Sequence, residues 1–484
     1  MTTAKKTLFG TIWNVLLNIF NQASSLIVYV LLARILSVEE FGLMAYCFLI
    51  TEMVILFSNF GVNQILIQKP NWSERLASNC FWFLLIISVL LGLILSGIIA
   101  PLSEFYFYEG SGVMLVALAT VPILNSISLV SLAKLQRHFQ NRVITIINVV
   151  CTTIGGGISI LLVFQGYGVW SVIVGRILQT LFTTILFLSV ERYIPKYPLR
   201  KKYFYLIFKF GLPLFYNTCL TFVSTRSINL ATAFLLGSAQ FAFVSVAQRA
   251  LRMLSEITLT PLNAVLLPAF SRVDKNTKLS DVYCRVVTIA STLVLPMYLG
   301  LGAVSEEAVF LLFGEQWGSS ADLLLIFCFG SVVSVLGWFL PTLLISKGHT
   351  SQSFKINVIA TVFNIIFTIV GAYFSAKMAV LGLLLAAVTS LPIRFSLTNK
   401  TIPISLFEVF KASLPALISS LVMFCAIIWG FDLLHLELAI LPLLLAKIGF
   451  GFAVYTFIML VVFKKQSYQV IGQIVPLLKK KVAK

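Results

Sequence analysis

Long apolar runs separated by short polar gaps set the pattern of this chain. At roughly 20 residues per bilayer crossing, the runs centre near residues 20, 50, 90, 123, 152, 180, 222, 253, 291, 332, 364, 388, 420 and 450. That spacing predicts an all-α polytopic membrane protein with fourteen transmembrane helices. Two further stretches are expected to lie on the membrane rather than cross it. Residues 305–313, SEEAVFLLF, place acids beside an apolar face and suit the outer interface. Residues 468–478 are too short to span, run into lysines at 479–481 and suit the inner leaflet.

The charges orient these helices. Of 35 Lys and Arg residues, 28 fall in every second gap or at the two ends, in clusters such as Lys134, Arg137 and Arg142, or Arg192 through Lys209. Ten of the 17 acids, including Glu39, Glu40, Glu104 and Asp322, fall in the intervening gaps, against only Arg34 and Lys377. The positive-inside rule then puts both termini in the cytoplasm.

The composition excludes several classes. A chain that is 59% hydrophobic and 11% charged, with a mean hydropathy of +1.00, cannot cover itself as a soluble globule. Its net charge of +18 sits in clusters beside apolar spans, which the positive-inside rule explains without a nucleic-acid partner. Seven cysteines are scattered singly with no CxxC, and the three histidines lie apart, so neither a metal site nor a cofactor is expected. No catalytic constellation appears and the outer loops are short, so the chain does not read as an enzyme. The Gly155-Gly156-Gly157 run falls inside the fifth span and suits close helix packing rather than a phosphate loop. The apolar stretch after Lys5 and Lys6 is too long for a signal peptide and reads as an uncleaved first span.

The gap between spans six and seven, rich in Arg, Lys and Pro, divides the chain. The expected organisation is a six-helix bundle over 1–192, a cytoplasmic linker over 193–205, a second bundle over 206–400, helices thirteen and fourteen over 401–463, and a basic tail over 464–484. An offset of 200 residues aligns Leu36 with Leu236, Phe41 with Phe241, Met53 with Met253, Asn63 with Asn263 and Leu66 with Leu266. Both copies fall on the first hairpin of a half, in the same membrane orientation, as in transporters built from parallel repeats.

Polar residues inside the spans locate candidate chemistry. On span one, Asn14, Asn18, Asn21 or Gln22, Ser25 and Tyr29 share one helical face; on span seven, Asn217, Thr221, Ser224 or Thr225 and Thr232 do the same. Two readings fit, interhelical hydrogen bonding and a shared aqueous cavity. Seven charges remain within spans: Glu52, Arg176, Arg226, Arg249, Arg252, Glu256 and Lys447. Each costs about 2.5–3.5 kcal/mol at a helix centre, so function is their default explanation. Arg249, Arg252 and Glu256 lie on one face of span eight, as either an ion-pair ladder or an anion site lining a cavity. Arg34 stands near the outer end of span one, where it can snorkel. Arg176 and Arg226 are weaker candidates, and Lys447 is expected to pack or snorkel. Glu52 is either an ion-coupling site or a partner for an arginine, and Glu256 is the second acid that ion coupling could use.

The run Leu32-Ala33-Arg34-Ile35-Leu36 followed by Glu40-Phe41-Gly42, then Asn59-Phe60-Gly61, resembles the lipid-linked oligosaccharide flippases and polysaccharide exporters of the multidrug/oligosaccharidyl-lipid/polysaccharide superfamily. The O-antigen, colanic-acid and teichuronic-acid branch is nearest. Val265 through Ser271, Phe313-Gly314-Glu315-Gln316-Trp317 and Phe354 through Val358 continue the resemblance in order. It implies two six-helix bundles, alternating access, a cationic central cavity and a polyprenyl-pyrophosphate-linked oligosaccharide as cargo. It also implies a bacterial cytoplasmic (inner) membrane location, with membrane lipids and a polysaccharide polymerase or other synthesis-complex proteins as partners. Arg249 stands where such relatives carry a cavity arginine. The chain departs from the pattern at Phe234, the repeat partner of Arg34. The expected cavity set is Arg249, Arg252, Arg34, Asn14, Asn18, Asn217 and Thr221. The alternative is a cation-coupled multidrug antiporter of the same superfamily, disfavoured because four arginines against two acids lie in the twelve bundle spans.

Overall fold

A computed structural model describes residues 20–69, 72–271, 278–434, 439–464 and 466. Asn14, Asn18, the first lysines, His435 and the 468–478 segment lie outside the described residues. Among those described, the chain is helical with no β-strand, as hydrocarbon requires of a backbone that must satisfy its own hydrogen bonds. In order the helices are α1 (Phe20–Ile35), α2 (Val38–Asn59), α3 (Val62–Gln68), α4 (Glu74–Tyr106), α5 (Ser111–Arg137), α6 (Asn141–Phe164), α7 (Val169–Val190) and α8 (Lys201–Leu235). They continue as α9 (Ser238–Ser271), α10 (Leu279–Ala303), α11 (Ser305–Phe313), α12 (Glu315–Ser346), α13 (Thr350–Ala372), α14 (Ala376–Asn399), α15 (Leu406–Leu434) and α16 (Ile440–Val461).

Twelve of these have the length and apolar composition of a membrane span. The 16 described residues of α1 and the 34-residue α9 stand outside that set. Each of the fourteen predicted centres nevertheless falls in its own helix. The 305–313 stretch is the separate short helix α11.

The chain divides into two compact units. The first runs through Val223 and also takes in Gly237–Ala242; the second comprises Ser224–Leu236 and the described chain from Phe243 onward. The 200-residue offset is visible in the helices themselves: α1 breaks at Leu36 and Ser37 before α2, and α8 breaks at Leu236 and Gly237 before α9.

Local chemistry explains the runs quoted from the first hairpin. Ser37 caps α2, accepting from the Glu40 N–H, while the Glu40 carboxylate accepts from the Ser37 N–H at 2.9 Å. Phe41 is fully buried, edge-on to Tyr29 at 5.1 Å. Gly42 is required because a Cβ there would collide with the Ser238 carbonyl. At the end of α2, Phe60 (φ 41°) and Gly61 (φ 69°) turn the chain, and Phe60 anchors an aromatic cluster with Phe83, Phe208 and Phe215.

In the first unit the extended segment before α8 is strapped to α4. Tyr193 hydroxyl meets Ser78 Oγ at 3.0 Å, and the Arg200 N–H donates to Asn79 Oδ1 at 2.7 Å. Burial pushes the Tyr193 phenol up to about 12. In the second unit, Tyr283, Val294, Phe339 and Leu343 form the core. The two C-terminal helices join it through Leu299, Met423, Ile427 and Tyr455, whose hydroxyl donates to the Thr292 carbonyl at 2.7 Å.

Candidate functional site

In the first unit four helices line a half-open cavity of about 350 Å³ with mixed polar and apolar walls. Each contributes one face at helical spacing. From α1 come Asn21, Gln22, Ser25 and Tyr29, the described part of the polar stripe on span one. Thr152, Gly155, Gly156 and Ser159 come from α6, while Val172, Gly175, Arg176 and Gln179 come from α7. Met44 and Phe48 of α2 form an apolar wall.

Glycine brings these helices together. A Cβ on Gly155 would lie 2.6 Å from Gln179 Cβ, one on Gly156 would strike Val28, and one on Gly175 would strike Ser159 Oγ. Gly157 faces open space. Two members of the Gly155-Gly156-Gly157 run therefore perform the packing expected of it, and the third does not.

The close approach holds a small polar network. Gln179 Nε2 donates to Thr152 Oγ1 at 3.0 Å, and Arg176 Nη1 reaches Gln179 Oε1 at 3.5 Å. Asn21 Oδ1 is buried with no hydrogen-bond partner among the described residues. Glu52, on α2, acts electrostatically on Arg176 without lining the cavity. Sequence reasoning misses Gln179, Thr152 and Ser159, and it ranks Arg176 low. The signal is there: α6 carries small or polar residues at i, i+3, i+4 and i+7 (Thr152, Gly155, Gly156, Ser159), and α7 carries them at Gly175, Arg176 and Gln179.

The other predicted residues fall as follows. Arg34 is exposed near the end of α1, and Asn217 and Thr221 are exposed on α8, where Thr221 Oγ1 donates back to the Asn217 carbonyl at 2.8 Å. In the second unit, Arg249, Arg252 and Glu256 are all half-buried on α9. The same helix carries buried Ser245 and Gln248, and Ser255, whose hydroxyl meets the Tyr298 hydroxyl at 2.7 Å. The 200-residue offset aligns Arg252 with Glu52, so equivalent places in the two hairpins carry opposite charges.

One intramembrane charge has a structural explanation. Lys447 of α16 forms an ion pair with Glu307 of α11, with side chains only 13% and 12% exposed, and it also lies over the Phe431 ring. Its packing role follows from this pair rather than from snorkelling.

A multi-pass bundle of apolar helices enclosing polar, arginine-bearing surfaces is the build of a membrane transporter. The family described as polysaccharide biosynthesis protein matches residues 31–322, and the chain belongs to it. It is 24% identical over 442 residues to the lipopolysaccharide biosynthesis protein WzxC of Escherichia coli (strain K12), covering 87% of this chain and 88% of that one. It is 23% identical to the succinoglycan biosynthesis transport protein ExoT of Rhizobium meliloti (strain 1021), a match covering 63% of this chain and 62% of the relative's length. Among solved structures, the lipid II flippase MurJ in an inward closed conformation aligns with a TM-score of 0.73 at 15% identity, over 94% of this chain and 99% of that one. An inward-facing multidrug resistance MATE family transporter of the MOP superfamily aligns with a TM-score of 0.60 at 14% identity, over 82% of this chain and 96% of that one. At these identities the structural likeness carries the fold.

Proposed function

We propose that this protein flips a polyprenyl-pyrophosphate-linked oligosaccharide, the repeat unit of a polysaccharide, across the bacterial cytoplasmic membrane by alternating access. Membership of the polysaccharide biosynthesis family supports the cargo class, and the fold it shares with a lipid II flippase supports the movement. The observation that carries the reading is the pair of half-buried arginines, Arg249 and Arg252, on the long helix α9. Arginine stays charged in a poor dielectric, and its planar fork binds phosphate oxygens bidentately. In this reading the pyrophosphate meets Arg249 and Arg252, Arg34 stands at the outer end of the path, and Asn14, Asn18, Asn217 and Thr221 wet the route for the glycan. Glu52 and Glu256 are the acids available for ion coupling. Sites that favour organic cations need acids, so the antiporter reading is the weaker one. The two bundles, fourteen crossings and cytoplasmic termini belong to the same proposal, as does cooperation with a polymerase.

Arg249→Ala in proteoliposomes is expected to lower flipping of a pyrophosphate-linked glycan at least about tenfold, as loss of a charge-assisted hydrogen bond implies. Arg249→Glu should lower it further. Wild-type rates in both variants would remove the central claim. Export of an anion runs with an inside-negative potential, worth about 2.3 kcal/mol per charge per 100 mV. Collapsing the potential should therefore slow flipping, and an unchanged rate would remove voltage coupling alone.

A further inference from the structure

We infer that the cavity of the first unit recognises the cargo, and that it selects a glycan bearing an acidic sugar such as a hexuronic acid. The inference rests on the flippase reading for the cargo being a glycan, and adds what kind of glycan it is. Its volume of about 350 Å³ lies at the small end of the roughly 300–1,000 Å³ typical of ligand pockets, suited to a sugar or two rather than a whole lipid-linked chain.

The lining specifies the chemistry. Amides and hydroxyls (Asn21, Gln22, Thr152, Gln179) offer both donors and acceptors, the pattern that sugar hydroxyls need, and the Tyr29 ring borders the same space. Among the described residues, one charged residue lines the cavity, Arg176. Its Nη1 has only a long 3.5 Å reach to Gln179 Oε1, leaving donor capacity for a carboxylate. Glu52, on α2, acts electrostatically on Arg176 and is not among the residues lining the cavity. The buried Asn21 Oδ1, with no hydrogen-bond partner among the described residues, is an acceptor placed for a ligand hydroxyl.

The test uses the full chain in lipid nanodiscs and two probes. One is a free tetrasaccharide ending in a hexuronic acid; the other is the same tetrasaccharide with that carboxyl reduced to the alcohol. Titration calorimetry should show the acidic form binding about tenfold or more tightly, the size of a charge-assisted contact. Arg176→Gln should remove the preference while the reduced form binds within about threefold of wild type, and Arg176→Lys should keep part of it. Gln179→Glu, which adds a negative charge beside the same guanidinium, should also abolish the preference, and serves if Arg176→Gln fails to fold. Equal binding of the two probes to the wild type, or binding of neither, overturns the inference. So does an equal loss of both probes in a monodisperse Arg176→Gln protein. Neither probe contains pyrophosphate, so this result is independent of the flipping assay on Arg249, and either claim can fail alone.

Discussion

At the scale of single residues, the charges within apolar helices have different physical settings. Lys447 and Glu307 neutralise each other in a nearly buried pair. Removing one partner leaves the other stranded, which costs about 3–5 kcal/mol for a fully buried pair, whereas removing both is close to neutral. Lys447→Met alone should therefore lower the thermal inactivation temperature in detergent, and Lys447→Met combined with Glu307→Gln should recover most of it. An additive double variant would mean the two side chains do not interact. Arg176 differs: it lines a cavity, and Glu52 acts on it electrostatically. Arg249 and Arg252 share α9 with one acid, Glu256, four residues on from Arg252.

Among elements, the packing of α6 on α7 decides whether the cavity exists. Gly175 lies where an added Cβ would strike Ser159 Oγ and sit 2.7 Å from the Gly155 carbonyl oxygen. Gly175→Val should force the helices apart at about 1–3 kcal/mol of stability and lose the acidic-probe preference together with it. Gly157→Ala, with nothing within 4 Å of its Cβ, should leave stability unchanged or raise it by up to about 1 kcal/mol, because alanine suits a helix interior better than glycine. If thermal stability falls equally in both variants, the close approach is not what the glycines provide. The second-unit hairpin follows the same plan as the first, with a break at Leu236 and Gly237 matching that at Leu36 and Ser37. It differs in charge, carrying Arg252 where the first carries Glu52.

For the whole molecule, the sorting of charges makes a topology that can be mapped. In a cysteine-free background, cysteines at Lys69, Lys347 and Lys400 should react with a membrane-impermeant maleimide only from the cytoplasmic side. Those at Glu39, Glu109 and Asp322 should react only from outside. Labelling of both groups from one side would break the alternation on which fourteen crossings rest. The solved MurJ fold, aligned over 94% of this chain, fits the same all-helical architecture.

Much of this architecture is legible in the linear order of residues. All fourteen predicted centres fall in helices, and the 200-residue offset locates the paired breaks between α1 and α2 and between α8 and α9. The cavity is only half legible. The span-one stripe points to Asn21, Gln22, Ser25 and Tyr29, but the facing walls are Thr, Gly, Ser and Gln, residues that packed helices use anyway. Arg176 looks like one stray charge among several in the sequence, and Lys447 gives no hint there of a partner 140 residues away. Membrane insertion is a property of local windows, since transfer from water to hydrocarbon sums over one segment's own residues, so the sequence by itself located the apolar helices. Which polar side chains meet depends on the rotation and contact of helices distant in sequence. That was decided by the tertiary packing, here by glycines that let α1, α6 and α7 close around Arg176.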